Sequence, residues 1–265
     1  MTAFLSSIGG KLAERWASAV LLPGVLFVLA VWCAVELGHA HALSVSRVQA
    51  AVAEFARGSG VEVGVRLAAV LLGGATAVLL AKSLGAVVRT VWFGRWGGPV
   101  GRLLVRLRRR RAEAEGAKAG VEPVPVYLPT RPTSIGEQFR LLDVAIAAQY
   151  QGLRLGPVWP RVWVLLPDSA RVPVQNANTE FQAASVVAAW GLLHVVVGLW
   201  WYPGEIIGAV VLLVGWVRAR GHAATLAVLI EAIVDTHLSQ VLDALHRGMT
   251  VNLANQVNDH LRKGR

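Results

Sequence analysis

Apolar positions fall into four runs, at residues 17–37, 67–88, 183–202 and 204–217. A helix rises 1.5 Å per residue, so the about 20 residues in each of the first three suffice for a hydrocarbon core of about 30 Å. The fourth, Ile206 to Val217, covers only about 18 Å. It must recruit the stems of Arg218 and Arg220 or thin the bilayer locally, and a shallow re-entrant hairpin is the alternative. Trp200-Trp201-Tyr202 followed by Pro203-Gly204 turns the third run back into the fourth.

Between and after these runs the pattern becomes amphipathic. Val48, Ala51, Val52 and Phe55 predict a short helix on the outer surface. Val100, Leu103, Leu104 and Leu107 alternate with arginines in a basic amphipathic piece, followed by a weak Ala/Glu/Gly linker. Prolines 123, 125, 129 and 132 predict an extended connection. Ser134-x-x-Glu137 reads as a capping box opening a helix with Phe139, Leu142, Ile146 and Tyr150 on one side and Gly152 as its stop. Residues 153–175, rich in Trp, Pro and Val, are expected to be mostly irregular. Residues 223–246 (Leu226, Leu229, Ile230, Ile233, Val241, Leu245) predict a helix that continues the fourth run and packs on the 135–151 helix.

Composition turns these elements toward lipid. Charged residues make up 16% and apolar ones 55%, and mean hydropathy is +0.52. A soluble domain averages about 25% charged residues. Trp16, Trp92, Trp96, Trp200 and Trp201 sit at run edges, where an indole can be half buried and still wet. The single Cys33 excludes an intramolecular disulfide. The first run is longer than the about 7–15 residues of a signal-peptide core, so it reads as a retained span.

Charge supplies the orientation. Loop 89–118 holds nine basic residues against Glu113 and Glu115, within a net charge of +10. Basic loops stay cytoplasmic. Lys11, Arg15, Arg218 and Arg220 lie on the same side under that rule. The expected fold is an all-α polytopic membrane protein, with four transmembrane helices and both termini cytoplasmic. Its parts are a transmembrane pair (1–91), a cytoplasmic insert between spans two and three (92–182), a transmembrane hairpin (183–221) and a C-terminal amphipathic helix and tail (222–265).

Chemistry is sparse. Phosphate-loop, zinc-protease, nucleophile-elbow and paired-cysteine spacings do not occur, so no catalytic, cofactor or metal site is expected and the chain reads as a non-enzyme. Glu231 and Asp235 lie a turn apart, but His237 points elsewhere, and His39 and His41 offer only a weak external metal site. His194, near mid-span, is an interhelix hydrogen bonder or a pore-facing group. Gly73, Ala77, Ala81 and Gly85 form a small-residue face for close helix approach, to the same chain or to another copy. Arg102, Arg106, Arg108, Arg109, Arg110 and Arg111, with Trp92 and Trp96, are expected to contact an anionic inner leaflet, at about 1 kcal/mol per basic residue. That position argues against nucleic acid.

Several motifs occur together: Lys11-Leu12-Ala13-Glu14-Arg15-Trp16, Leu22-Pro23-Gly24, and Val158-Trp159-Pro160-Arg161-Val162-Trp163 followed by Leu165-Leu166-Pro167. They resemble a family of poorly characterised bacterial multi-pass membrane proteins, common in actinobacteria, with similar segments flanking the same layout. Gln151-Gly152-Leu153-Arg154 carries Arg where that family often has an acid. The resemblance implies the topology and no activity. Two functions follow as expectations. One is a non-catalytic membrane anchor or adaptor that docks a cytoplasmic protein through Trp159, Arg161 and Trp163. The alternative is an oligomeric pore using the small-residue face and His194.

Overall fold

The computed structural model describes residues 22–120 and 124–245, together with 257, 259, 260 and 262. Among the described residues the fold is all-helical, without a strand. The helices are α1 Leu22–Leu37, α2 Val45–Ala56, α3 Gly60–Trp92, α4 Pro99–Ala119, α5 Ser134–Gln149, α6 Leu155–Leu165, α7 Asp168–Gly198 and α8 Tyr202–Leu245, with a 3-10 turn at Pro125–Tyr127. Lys11, Arg15 and Trp16, the first residues of the 17–37 run, and the side chains of Val241 and Leu245 lie outside the described residues.

Three helices are long and apolar enough to cross a membrane: α3, α7 and the Tyr202–Leu238 part of α8. α1, with 16 residues, is apolar but shorter. On α3 and α8 the apolar side chains face outward: Leu72 is 70% and Leu213 61% exposed. Such faces suit hydrocarbon and not water. The chain has the make-up of a membrane protein.

The described residues form two compact units, one drawn from within 1–88 and 184–216 and the other from within 89–183 and 217–265. In the first unit, glycines set the helix crossings. A Cβ on Gly24 of α1 would lie 2.3 Å from the Gly74 carbonyl oxygen of α3, and one on Gly85 would lie 3.3 Å from the Val186 amide of α7. α7 and α8 close on each other through a longer seam. A Cβ on Gly191 would come 2.5 Å from the Leu212 amide, on Gly208 2.5 Å from the Val195 amide, and on Gly215 2.6 Å from the Ala188 amide. Without a Cβ the backbones touch, which is the main way helices gain contact where lipid surrounds them.

Ala77 and Ala81 are buried, and Gly73 rests near the Val28 side chain. The small-residue row of α3 is therefore occupied by helices of its own chain. The connection after α1 is tied to the α7–α8 turn by the Trp201 indole N–H donating to the Ala42 carbonyl (3.0 Å) and by His39 Nε2 on the Leu199 carbonyl (3.0 Å). Arg66 ends α2 by donating to the carbonyls of Glu54, Phe55 and Arg57 at 2.7–3.1 Å.

The second unit has an aliphatic core. Leu142 and Ile146 of α5, Val158 and Val162 of α6, Val174 of α7, and Leu226, Ile230, Val234 and Leu238 of α8 pack together with Leu166. Each such side chain contributes about 1.5–3 kcal/mol on full burial. The predicted continuation of the fourth run is present as one unbroken helix of 44 residues, packed on α5. It does not stop at Val217, because nothing in Arg218-Ala219-Arg220 breaks a helix.

Three local expectations are corrected. Residues 155–165 are helical despite Pro160, because Val158, Val162 and Leu166 recur every four residues and are buried. That burial offsets the hydrogen bond that Pro160 cannot donate. The presumed linker after the arginines is the rest of α4, which stops at Gly120 in the left-handed conformation (φ +67°). The α5 cap is Thr133 and not Ser134: its hydroxyl accepts the Gly136 N–H at 3.0 Å. Gly152 ends the helix as expected, following Gln151, and both have positive φ.

Candidate functional site

The chemistry-bearing part of the second unit gathers where the end of α3, the start of α4 and the start of α5 meet. Glycines permit the approach. A Cβ on Gly136 would stand 2.4 Å from the Phe93 carbonyl oxygen, and one on Gly101 2.4 Å from that of Trp96. Gly94 takes φ +62°, a conformation that side chains oppose. The Thr133 hydroxyl donates to the Trp92 carbonyl, and the Trp96 indole N–H donates to that of Val91 at 2.9 Å.

A buried ion pair holds the segment before α5. Glu137, only 5% exposed, accepts the backbone N–H groups of Thr130 (3.0 Å) and Arg131 (2.9 Å) on one carboxylate oxygen. Its other oxygen accepts Arg140 Nε at 2.7 Å, and the Arg140 guanidinium donates onward to the carbonyls of Val126 (3.0 Å) and Leu128 (3.4 Å). A buried carboxylate with this many donors is fully satisfied. Residues 126–131 are thereby fixed, and the Arg131 side chain stays out of the network.

Two hollows result. The first, about 420 Å³, has an apolar wall of Phe93, Phe139, Leu142, Leu155, Trp159 and Ile230, and also meets Arg95, Arg131, Arg140, Arg154 and Asp143. Asp143 is already engaged, accepting the Leu155 N–H at 3.2 Å. The second, about 390 Å³, is lined by Arg95, Arg102, Arg106, Arg109 and Arg131 with Trp96, glycines, Val105, Thr130 and Pro132, and by no acid. Arg95 and Arg131 belong to both. Arginine keeps its proton at any physiological pH, so these charges cannot be relieved by deprotonation. The arrangement can bind anions.

The structure divides the predicted basic cluster. Arg102, Arg106 and Arg109, at helical spacing, face the second hollow with Trp96, while Arg110 and Arg111 are exposed elsewhere on α4. Arg108 has its Nε buried without a hydrogen-bond partner. Trp92 is 7% exposed and packs against Phe181 at 6.2 Å, so its ring lies inside the protein and not at a lipid surface. Trp159 and Trp163 lie 5.9 Å apart and lean on the core, whereas Arg161 is exposed and donates to the Pro157 carbonyl at 3.2 Å.

His194 lies in the first unit. Its Nδ1–H donates to the Trp190 carbonyl one turn earlier (2.8 Å), and its ring meets Phe27 edge-on at 5.2 Å. Asp235 accepts from Tyr150, and among the described residues no group of three or more His, Cys, Asp or Glu is placed to hold a metal ion. Arg95, Arg131, Arg140 and Arg154 were not among the predicted site residues. No local pattern joins Arg95 to Arg131, which the Thr133 and Glu137 hydrogen bonds bring together. No family model matches the chain, and no curated protein or solved structure does.

Proposed function

We propose that this chain is a non-catalytic membrane anchor that docks a cytoplasmic partner protein. In this reading α1, α3, α7 and the first half of α8 are four spans of a bacterial inner membrane, both termini are cytoplasmic, and residues 92–182 are a cytoplasmic insert. α4 lies along the anionic inner leaflet. Support comes from its two sides: Val100, Leu103 and Leu107 are exposed on one face, with Arg110 and Arg111 beside it. Such a helix settles at the boundary between headgroups and acyl chains.

The observation that carries the docking function is the basic surface of the second unit, with Arg161 exposed beside the Trp159–Trp163 pair. A surface of this kind suits an acidic protein face. The test is purification of the tagged full chain from its native membranes after mild cross-linking. A stoichiometric soluble partner held by the wild type and lost with Arg161→Glu is expected; no stoichiometric partner in either would overturn the reading. An oligomeric pore, the alternative, draws no support from the α3 small-residue row, whose neighbours include Val28 and Val186 of the same chain.

A further inference from the structure

The arginines of the second hollow ask for a counter-charge that the protein does not supply. Ion pairs among the described residues join Arg57, Arg140 and Arg171 to acids three positions earlier in the chain. Arg95, Arg102, Arg106, Arg109 and Arg131 instead converge on one cavity of about 390 Å³ without an acid in its lining. Five permanent positive charges around one cavity repel each other, and a bound anion is what turns that repulsion into attraction.

The geometry points to a phosphate-binding site in this hollow, with Arg95 and Arg131 as its principal ligands. Guanidinium groups match phosphate oxygens in pairs of parallel hydrogen bonds, which favours phosphate over a single-point anion such as chloride. Arg95 and Arg131 form the wall shared with the first hollow, whose lining of Phe93, Phe139, Leu142, Leu155, Trp159 and Ile230 suits an apolar body attached to that phosphate. The ligand class is therefore an organic phosphate with its charged end among the arginines. It comes either from a phospholipid headgroup or from a soluble phosphate. The lipid source is favoured by position, since the hollow begins at Gly94, two residues beyond the end of the membrane-length helix α3. The inference goes beyond the docking function and does not depend on it.

The experiment uses the full chain in nanodiscs of neutral phosphatidylcholine. Inorganic pyrophosphate is titrated by calorimetry, and phosphatidic acid doped into parallel nanodiscs is counted by native mass spectrometry. Three proteins are compared: wild type, Arg95→Ala/Arg131→Ala, and Arg47→Ala/Arg57→Ala, the last at exposed positions on and just after α2. The last removes the same charge outside the hollow. Arg95 is exposed and Arg131 uses only its backbone in the Glu137 network, so the first variant spares the fold. Saturable binding weakened at least about tenfold by the hollow variant, and less than about twofold by the control, is expected. If pyrophosphate shows this pattern the source is soluble; if only phosphatidic acid does, it is lipid. Binding of neither probe, or equal loss in both variants, would overturn the site.

Discussion

Tyr150 donates its phenolic hydroxyl to the Asp235 carboxylate across 2.9 Å, tying the C-terminal end of α5 to α8. The two residues are 85 positions apart, and this bond closes one end of the aliphatic core around Ile146, Ile230 and Val234.

Burial first, and then the hydrogen bond and charge of Asp235, push the Tyr150 phenol above its usual 10.0. A raised pKa means that the folded state holds the proton more tightly than the unfolded one. The contribution is therefore complete below pH 10.0 and disappears as the pH rises through the higher folded value. Tyr150→Phe should cost about 1 kcal/mol at neutral pH and flatten the alkaline part of the stability profile. Denaturation of the purified protein between about pH 7 and about pH 11 reads both.

The glycine seam predicts opposite outcomes for one substitution type. Gly208→Ala places a methyl 2.5 Å from the Val195 amide and should destabilise by about 1–3 kcal/mol. Gly64→Ala, in open space on α3, should raise stability by up to about 1 kcal/mol, since alanine favours a helix. Thermal melts in one detergent compare them, and equal effects would mean that the seam does not set the crossing.

Glu137→Gln removes the charge that Arg140 and two backbone amides face. Because that pair is buried, the loss should be about 3 kcal/mol, larger than for any exposed pair such as Arg57–Glu54. A double-mutant cycle with Arg140→Ala measures the coupling. Coupling near zero would reduce the network to a surface ornament.

The proposed orientation has its own test. In a Cys33→Ser background, Ala53→Cys on α2 should react with an impermeant thiol reagent in intact cells, and Ala114→Cys on α4 only after the membrane is opened. Both positions are exposed, so access depends on the side of the membrane and not on packing. The reverse labelling would invert the topology.

How much of this was legible in the chain depends on the range of the interaction. Long apolar runs announce α3 and α7 because the signal is averaged over about 20 residues, whereas α8 follows only when the short run 204–217 is joined to the amphipathic pattern of 223–246. The four-residue spacing of Gly73, Ala77, Ala81 and Gly85 announced a packing face, though not its partner. The seven-residue spacing of Gly191 with Gly198, and of Gly208 with Gly215, is a weaker signal, because pairs of glycines inside two neighbouring apolar runs do not stand out among 27 glycines. Pro160 misled because a local rule was applied where tertiary burial of Val158 and Val162 decides. Thr133 and Ser134 are both competent caps, and the Trp92 carbonyl, 41 residues away, selects the first. The hollows were least legible: Arg95 and Arg131 look like ordinary boundary charges until the chain between them is folded.

The glycine contacts also bear on how this sequence can change over time. At Gly24, Gly191, Gly208 and Gly215 every replacement adds at least a methyl where backbone already stands. The lipid-facing leucines and valines of α3 and α8 can interchange with little consequence, since one apolar side chain dissolves in hydrocarbon about as well as another. Drift should therefore erase most of the letters of these helices while leaving the intervals between their glycines. For a remote descendant of this chain, the recognisable inheritance would be a rhythm of bare positions and not a string of shared residues.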